Sequence, residues 1–153
     1  MNPNISFDPN ILSNKEKTFL KAKLELTYDG EDPDGCKVFN LKAREKGSHK
    51  RKRKYWYKTW SITNMVAKYF GNQKYFTPSA IAYSLQHGVV LLKKSDMVIS
   101  HLCGYVLCFN TNHLTQENNR YNRSRRMCHA NRRIPWVCPH IPQCIMKTVD
   151  MKK

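Results

Sequence analysis

The chain has 153 residues, 41% of them hydrophobic, and a formal net charge of +16. That length suits one domain with a small core, and small cores are often stapled by metal or disulfides. No apolar run approaches the roughly 20 residues of a membrane span, and the opening M-N-P-N-I-S-F-D-P-N lacks a basic stretch followed by an apolar one, which excludes a secretory signal.

An intracellular protein is therefore expected. In a reducing compartment six cysteines read as metal ligands rather than disulfides. The charge is unevenly placed. Residues 1–34 carry seven acids against four lysines, residues 35–60 ten Lys/Arg against Glu45, and residues 101–149 seven Lys/Arg against Glu117. Two basic blocks almost free of acids suit a polyphosphate partner, because each phosphate contact releases a counterion. A merely solvated surface normally mixes both signs.

In chain order, residues 1–9 read as a loose arm containing Pro3 and Pro9. From Asn10 to about Leu26 the apolar residues fall near helical spacing, which predicts a packing helix. Tyr28 to Gly35 is an acidic turn cluster whose residue order does not fit a calcium loop. Cys36 to Leu41 alternates as a strand.

Residues 42–58 form the most basic segment, with a hairpin tip expected at Gly47-Ser48. A basic two-stranded ribbon fits the DNA major groove, so Lys42, Arg44, Lys50, Arg51, Arg53, Lys54 and Lys58 are DNA-contact candidates. Lys50–Lys54 also suits nuclear import, and nuclear access is expected. Ser61–Phe70 predicts a short helix stopped by Gly71; Thr77-Pro78-Ser79 opens another, stopped by Gly88. His87, at that helix end, has a surface or capping role. Val89–Leu92 and Met97–Ser100 read as buried strands, with a further short strand around Tyr105–Cys108. Leu114–Arg126 reads as a polar helix packing through Leu114, Tyr121 and Met127.

Five of the six cysteines and four of the six histidines lie in Ser100–Cys144. Structural zinc takes four Cys/His ligands. Cys103, Cys108 and His113 give three at short spacing, and Cys36 completes a Cys3His set. Cys128, Cys138, His140 and Cys144 make a second, so every cysteine is used. His129, beside Cys128, is a rival ligand that this closed count does not need. Neither set leaves an open coordination position, so both ions would be structural.

Removing the ligands leaves His101 at the end of an apolar strand and Asn122 on the polar segment after His113. A neutral imidazole can take a proton from water near pH 7. An amide oxygen can hold Mg²⁺, which keeps several waters and takes a substrate phosphate as a further ligand. Glu117 is the only acid from 97 to 149, so the paired acids of a two-metal nuclease are absent and one catalytic metal is expected.

S-H-L-C at 100–103, Cys108, N-x-x-H-L ending at Leu114, N-x-x-R at 122–125, Cys128 and C-x-H-x3-C at 138–144 resemble the His-Cys box of homing endonucleases, a branch of the ββα-metal (His-Me finger) nucleases. The resemblance implies that His101 is the general base and Asn122 the sole protein ligand of catalytic Mg²⁺. It also implies two structural Zn²⁺ ions on the two Cys3His sets and a DNA-reading ribbon over Leu41–Trp60. The family's arginine near the scissile phosphate falls among Arg53, Lys54 and Lys58; Arg125 and Lys54 are candidates for stabilising the transition state. Its dimers exchange a long C-terminal tail, which the nine residues after Cys144 do not match.

The expected fold is α+β: one small zinc-stabilised domain over 1–153, with a basic antiparallel β-ribbon at 36–60 and a ββα-metal nuclease core at 100–144. The expected function is site-specific, homing-type endonuclease cleavage of double-stranded DNA with a single Mg²⁺. A homodimer is left open, since double-strand cutting needs two sites, and no membrane partner is expected. The alternative is a non-catalytic zinc-stabilised DNA-binding protein on the same scaffold, which would have no use for both His101 and Asn122.

Overall fold

A computed structural model describes residues 5–26, 28–31, 34–39, 60–61, 75–92, 94–131 and 137–145. Three helices and eight short strands run in the order β1 (Ile5–Phe7), α1 (Asn14–Glu25), β2 (Tyr28–Glu31), β3 (Lys37–Phe39), β4 (Trp60–Ser61), β5 (Tyr75–Phe76), α2 (Pro78–His87), β6 (Leu91–Leu92), β7 (Met97–His101), β8 (Leu114–Asn118) and α3 (Asn119–Ala130) among the described residues. The strands pair antiparallel as β1–β6, β2–β3, β4–β5 and β7–β8. The fold is the small mixed α+β arrangement that the sequence predicts.

Local chemistry sets the helix ends. Ser13 caps α1 through a reciprocal capping box: its Oγ accepts from the Glu16 amide while Glu16 Oε2 accepts from the Ser13 amide at 2.9 Å. Thr77 caps α2, Pro78 supplies the first turn, and Gly88 ends the helix at φ 67, a left-handed conformation natural to glycine. Leu20 and Leu24, one turn apart on α1, meet Ile81 and Ala82 of α2 in a core that also holds Phe7, Leu12, Phe39 and Phe109. Each large apolar side chain buried there stabilises by about 1.5–3 kcal/mol.

Five expectations are corrected. The loose arm contains β1, because Phe7 is fully buried and its strand pairs with β6. The acidic cluster begins with β2, which pairs with β3. The polar segment after His113 starts as a strand, and its helix begins only at Asn119; the strand expected around Tyr105–Cys108 is a turn in which Cys108 bridges to Val38. Of the three packing residues named for that segment, only Leu114 is buried; Tyr121 and Met127 are exposed. The candidate ribbon residues Lys42, Arg44, Lys50, Arg51, Arg53, Lys54 and Lys58, and nearly all of the Ser61–Phe70 helix, lie outside the described residues.

β7, β8 and α3 form a ββα unit. The register pairs Met97 with Asn118 and His101 with Leu114, so the zinc-ligand segment 102–113 is the loop of this hairpin. The chain turns directly from β8 into α3, with Asn118 Oδ1 accepting from the Tyr121 amide at 2.9 Å as the cap.

Candidate metal centres and catalytic cavity

Cys36 reaches the hairpin loop through backbone pairing. The Phe39 amide donates to the Leu107 carbonyl at 3.0 Å and the Phe109 amide to the Lys37 carbonyl at 2.9 Å, which clips β3 alongside Cys108. Cys36, Cys103, Cys108 and His113 thereby converge, with their ligand atoms all within 4.8 Å of one another. Cys36 Sγ lies 3.5 Å and Cys108 Sγ 3.8 Å from His113 Nδ1. A zinc tetrahedron with bonds of about 2.3 Å to sulfur and about 2.0–2.1 Å to nitrogen has edges of roughly 3.5–3.8 Å, so the set fits the ion. The Cys103 thiol is drawn down to about 6 by its hydrogen bond with Cys108, against the opposing effect of burial. Cys108 is pushed up by that same contact and by burial.

Cys128, Cys138, His140 and Cys144 form the second cluster on the same distance criterion. His140 Nδ1 lies 3.4 Å from Cys138 Sγ and 3.6 Å from Cys144 Sγ. With Nδ1 turned to the thiols, Nε2 carries the proton and donates to Ser124 Oγ at 2.9 Å on α3. Burial pushes the Cys138 thiol up, but the amides of Cys144 and His140 point at its sulfur and bring it down to about 6. Burial pushes Cys144 up to about 12. None of the six cysteines is in a disulfide, and both Cys3His sets are suited to zinc.

The ββα unit borders a cavity of about 570 Å³ lined by His101, Asn122, Gly104, Arg125, Arg126 and His129 among others. His101 Nε2 lies 3.1 Å from the Cys108 carbonyl. A carbonyl only accepts, so Nε2 carries the proton and Nδ1 keeps its lone pair. Burial holds the imidazole down to about 4, leaving it neutral at pH 7. Asn122 accepts from Ser100 Oγ through Oδ1 at 3.0 Å. An amide oxygen has two lone pairs, so one remains for a hard cation. No carboxylate lines the cavity among the described residues. Asn122 Oδ1 is an oxygen donor of the kind a hard cation takes, with water and phosphate able to supply further oxygens.

Arg125 is a correction to the DNA-contact set. It is 1% exposed. Its Nε donates to both Glu117 carboxylate oxygens at 2.9 Å, and its Nη1 donates to the Pro142 carbonyl at 2.7 Å and lies 3.5 Å from Cys144 Sγ. It ties β8, α3 and the second zinc loop together from inside. The sequence does not show the roles of Ser100 and Glu117, because nothing local marks their partners. Gly104 could have been found: it directly follows a ligand, adopts φ 67, and an added Cβ would meet the His129 ring at 2.8 Å.

Among the described residues no helix is long and apolar enough to cross a membrane. A family model described as the zinc-binding loop region of homing endonuclease matches residues 24–153. Comparison with curated proteins and with solved structures gives no match.

Proposed function

The chain belongs to the family of homing-endonuclease zinc-binding loops, and we propose that it is a Mg²⁺-dependent endonuclease of double-stranded DNA in which His101 is the general base. The observation that carries this reading is the cavity shared by His101 and Asn122, with the imidazole kept neutral by burial and oriented by the Cys108 carbonyl. A base needs an unprotonated nitrogen at working pH, and a fixed ring needs no reorganisation when the reaction begins.

In the proposed step His101 takes a proton from water onto Nδ1 as the water oxygen bonds to phosphorus. The phosphorus–O3′ bond breaks and the leaving oxygen gains a proton from solvent, giving 5′-phosphate and 3′-hydroxyl ends. Asn122 holds the divalent ion, which when bound supplies charge neutralisation at the phosphate and the leaving oxygen. Ser100 keeps the Asn122 amide turned to the cavity. The two Cys3His sets would hold zinc, which when bound would fix the 102–113 and 138–144 loops and take no part in the chemistry.

The test is supercoiled plasmid incubated with zinc-loaded protein, with and without Mg²⁺, using wild type and His101→Ala. The reading expects nicking and linearisation that require both Mg²⁺ and His101. Binding without cutting by correctly folded wild type would refute it.

A further inference from the structure

We propose that the Arg126 guanidinium meets the substrate phosphate over the candidate catalytic cavity, in addition to any cation of the 42–58 segment; this rests on the endonuclease reading above. Among the described residues the cavity is lined by two arginines and by no acid. A phosphodiester entering it needs a cation that is both present and uncommitted. Arg125 fails the second condition. Its Nε is held by Glu117 and its Nη1 by Pro142 and Cys144; its remaining nitrogen, Nη2, has no hydrogen-bond partner among the described residues but is buried, and the charge of the group is already matched by the Glu117 carboxylate.

Arg126 meets both conditions. It is exposed, lines the cavity, and makes no ion pair or hydrogen bond among the described residues. Asn122, Arg126 and His129 lie on α3 at i, i+4 and i+7 and all line the cavity, as the helical period requires of one face. Helical side chains lean toward the N-terminus over the preceding turn. The Arg126 guanidinium is therefore carried back over the turn that holds Asn122, about 6 Å along the axis. There it can pair two oxygens of one phosphate in a bidentate contact, which an ammonium cannot reproduce. Arg123 sits on the same helix, is also exposed and does not line the cavity, which makes it the matched control.

The experiment measures two quantities for wild type, Arg126→Ala, Arg126→Lys and Arg123→Ala: plasmid nicking with Mg²⁺, and binding of a labelled duplex across a salt series without Mg²⁺. Arg126→Ala is expected to nick at least about 100-fold more slowly, with the salt slope of binding reduced by about one. Arg126→Lys should regain part of the nicking and all of the slope. Arg123→Ala should nick within about threefold of wild type. Nicking by Arg126→Ala at the wild-type rate, or equal losses for Arg126→Ala and Arg123→Ala, would overturn the assignment. If wild type does not nick, the endonuclease reading falls, and the salt slope alone judges Arg126. An unchanged slope in Arg126→Ala then removes it as a phosphate contact, while a reduced slope keeps it.

Discussion

Ser100 Oγ donates to Asn122 Oδ1 at 3.0 Å, joining strand β7 to helix α3 one residue before the candidate base. Ser100 is 1% exposed, so water does not replace this bond when it is lost. Ser100→Ala should leave the fold intact at a cost of about 1 kcal/mol. It should raise the Mg²⁺ concentration needed for half-maximal nicking severalfold while duplex binding without Mg²⁺ stays unchanged. A Mg²⁺ titration of nicking checks it; an unaltered midpoint would mean that Asn122 is held in place by something else.

The pairing of Arg125 with Glu117 predicts an asymmetry in stability. Arg125→Met strands a carboxylate that is 10% exposed, and breaking a buried pair in this way costs about 3–5 kcal/mol. Arg125→Met with Glu117→Gln removes both charges and should recover a substantial part of that loss. Denaturant midpoints of the three proteins decide it. Equal stability of the single and double variants would show that the cost lies in the lost Pro142 and Cys144 contacts.

Zinc should be present at about two ions per chain by elemental analysis, one for each Cys3His set. Structural zinc sites carry about 10–16 kcal/mol of folding free energy. Cys36→Ser should therefore free β3 from the 107–109 segment and release one ion, and Cys138→Ser should unfold the second loop and release the other. Circular dichroism with metal analysis reports both; either variant retaining two ions and a native spectrum would remove its cysteine from the ligand set.

Gly104→Ala should be costly for two independent reasons. The left-handed backbone disfavours a side chain by about 1–2 kcal/mol, and the added Cβ would lie 2.8 Å from the His129 ring. Because His129 lines the cavity shared by His101 and Asn122, the variant is expected to lose nicking as well as thermal stability. Thermal melting alongside nicking checks this, and a variant as stable and active as wild type would show that the ring moves aside freely.

The two ligand sets were legible because metal ligation leaves a chemical signature in residue type and spacing. Cys138, His140 and Cys144 must lie on one short loop to share an ion. His101 and Asn122 stood out once every ligand was accounted for, and the His-Cys box pattern covers them. The segment from Leu114 to Asn118 was misread as helix because its polar residues look alike in either form. Pairing with β7 over five residues made it a strand, an instance of tertiary context overriding propensity.

By itself, then, the sequence determined which side chains could bind metal, where positive charge concentrates, and where α2 begins and ends. Those depend on atom types and on backbone preferences that act over a few residues. Tertiary structure alone decided which arginine of the R-S-R-R run is interior and which is exposed. A helix places Arg125 and Arg126 about 100° apart, and only the packing of α3 against β8 and the second zinc loop assigns one of them to Glu117 and the other to solvent. The same holds for Cys36, whose place beside Cys108 rests on two backbone hydrogen bonds between segments about seventy residues apart. Burial and long-range pairing are properties of the assembled chain, and no local spacing encodes them.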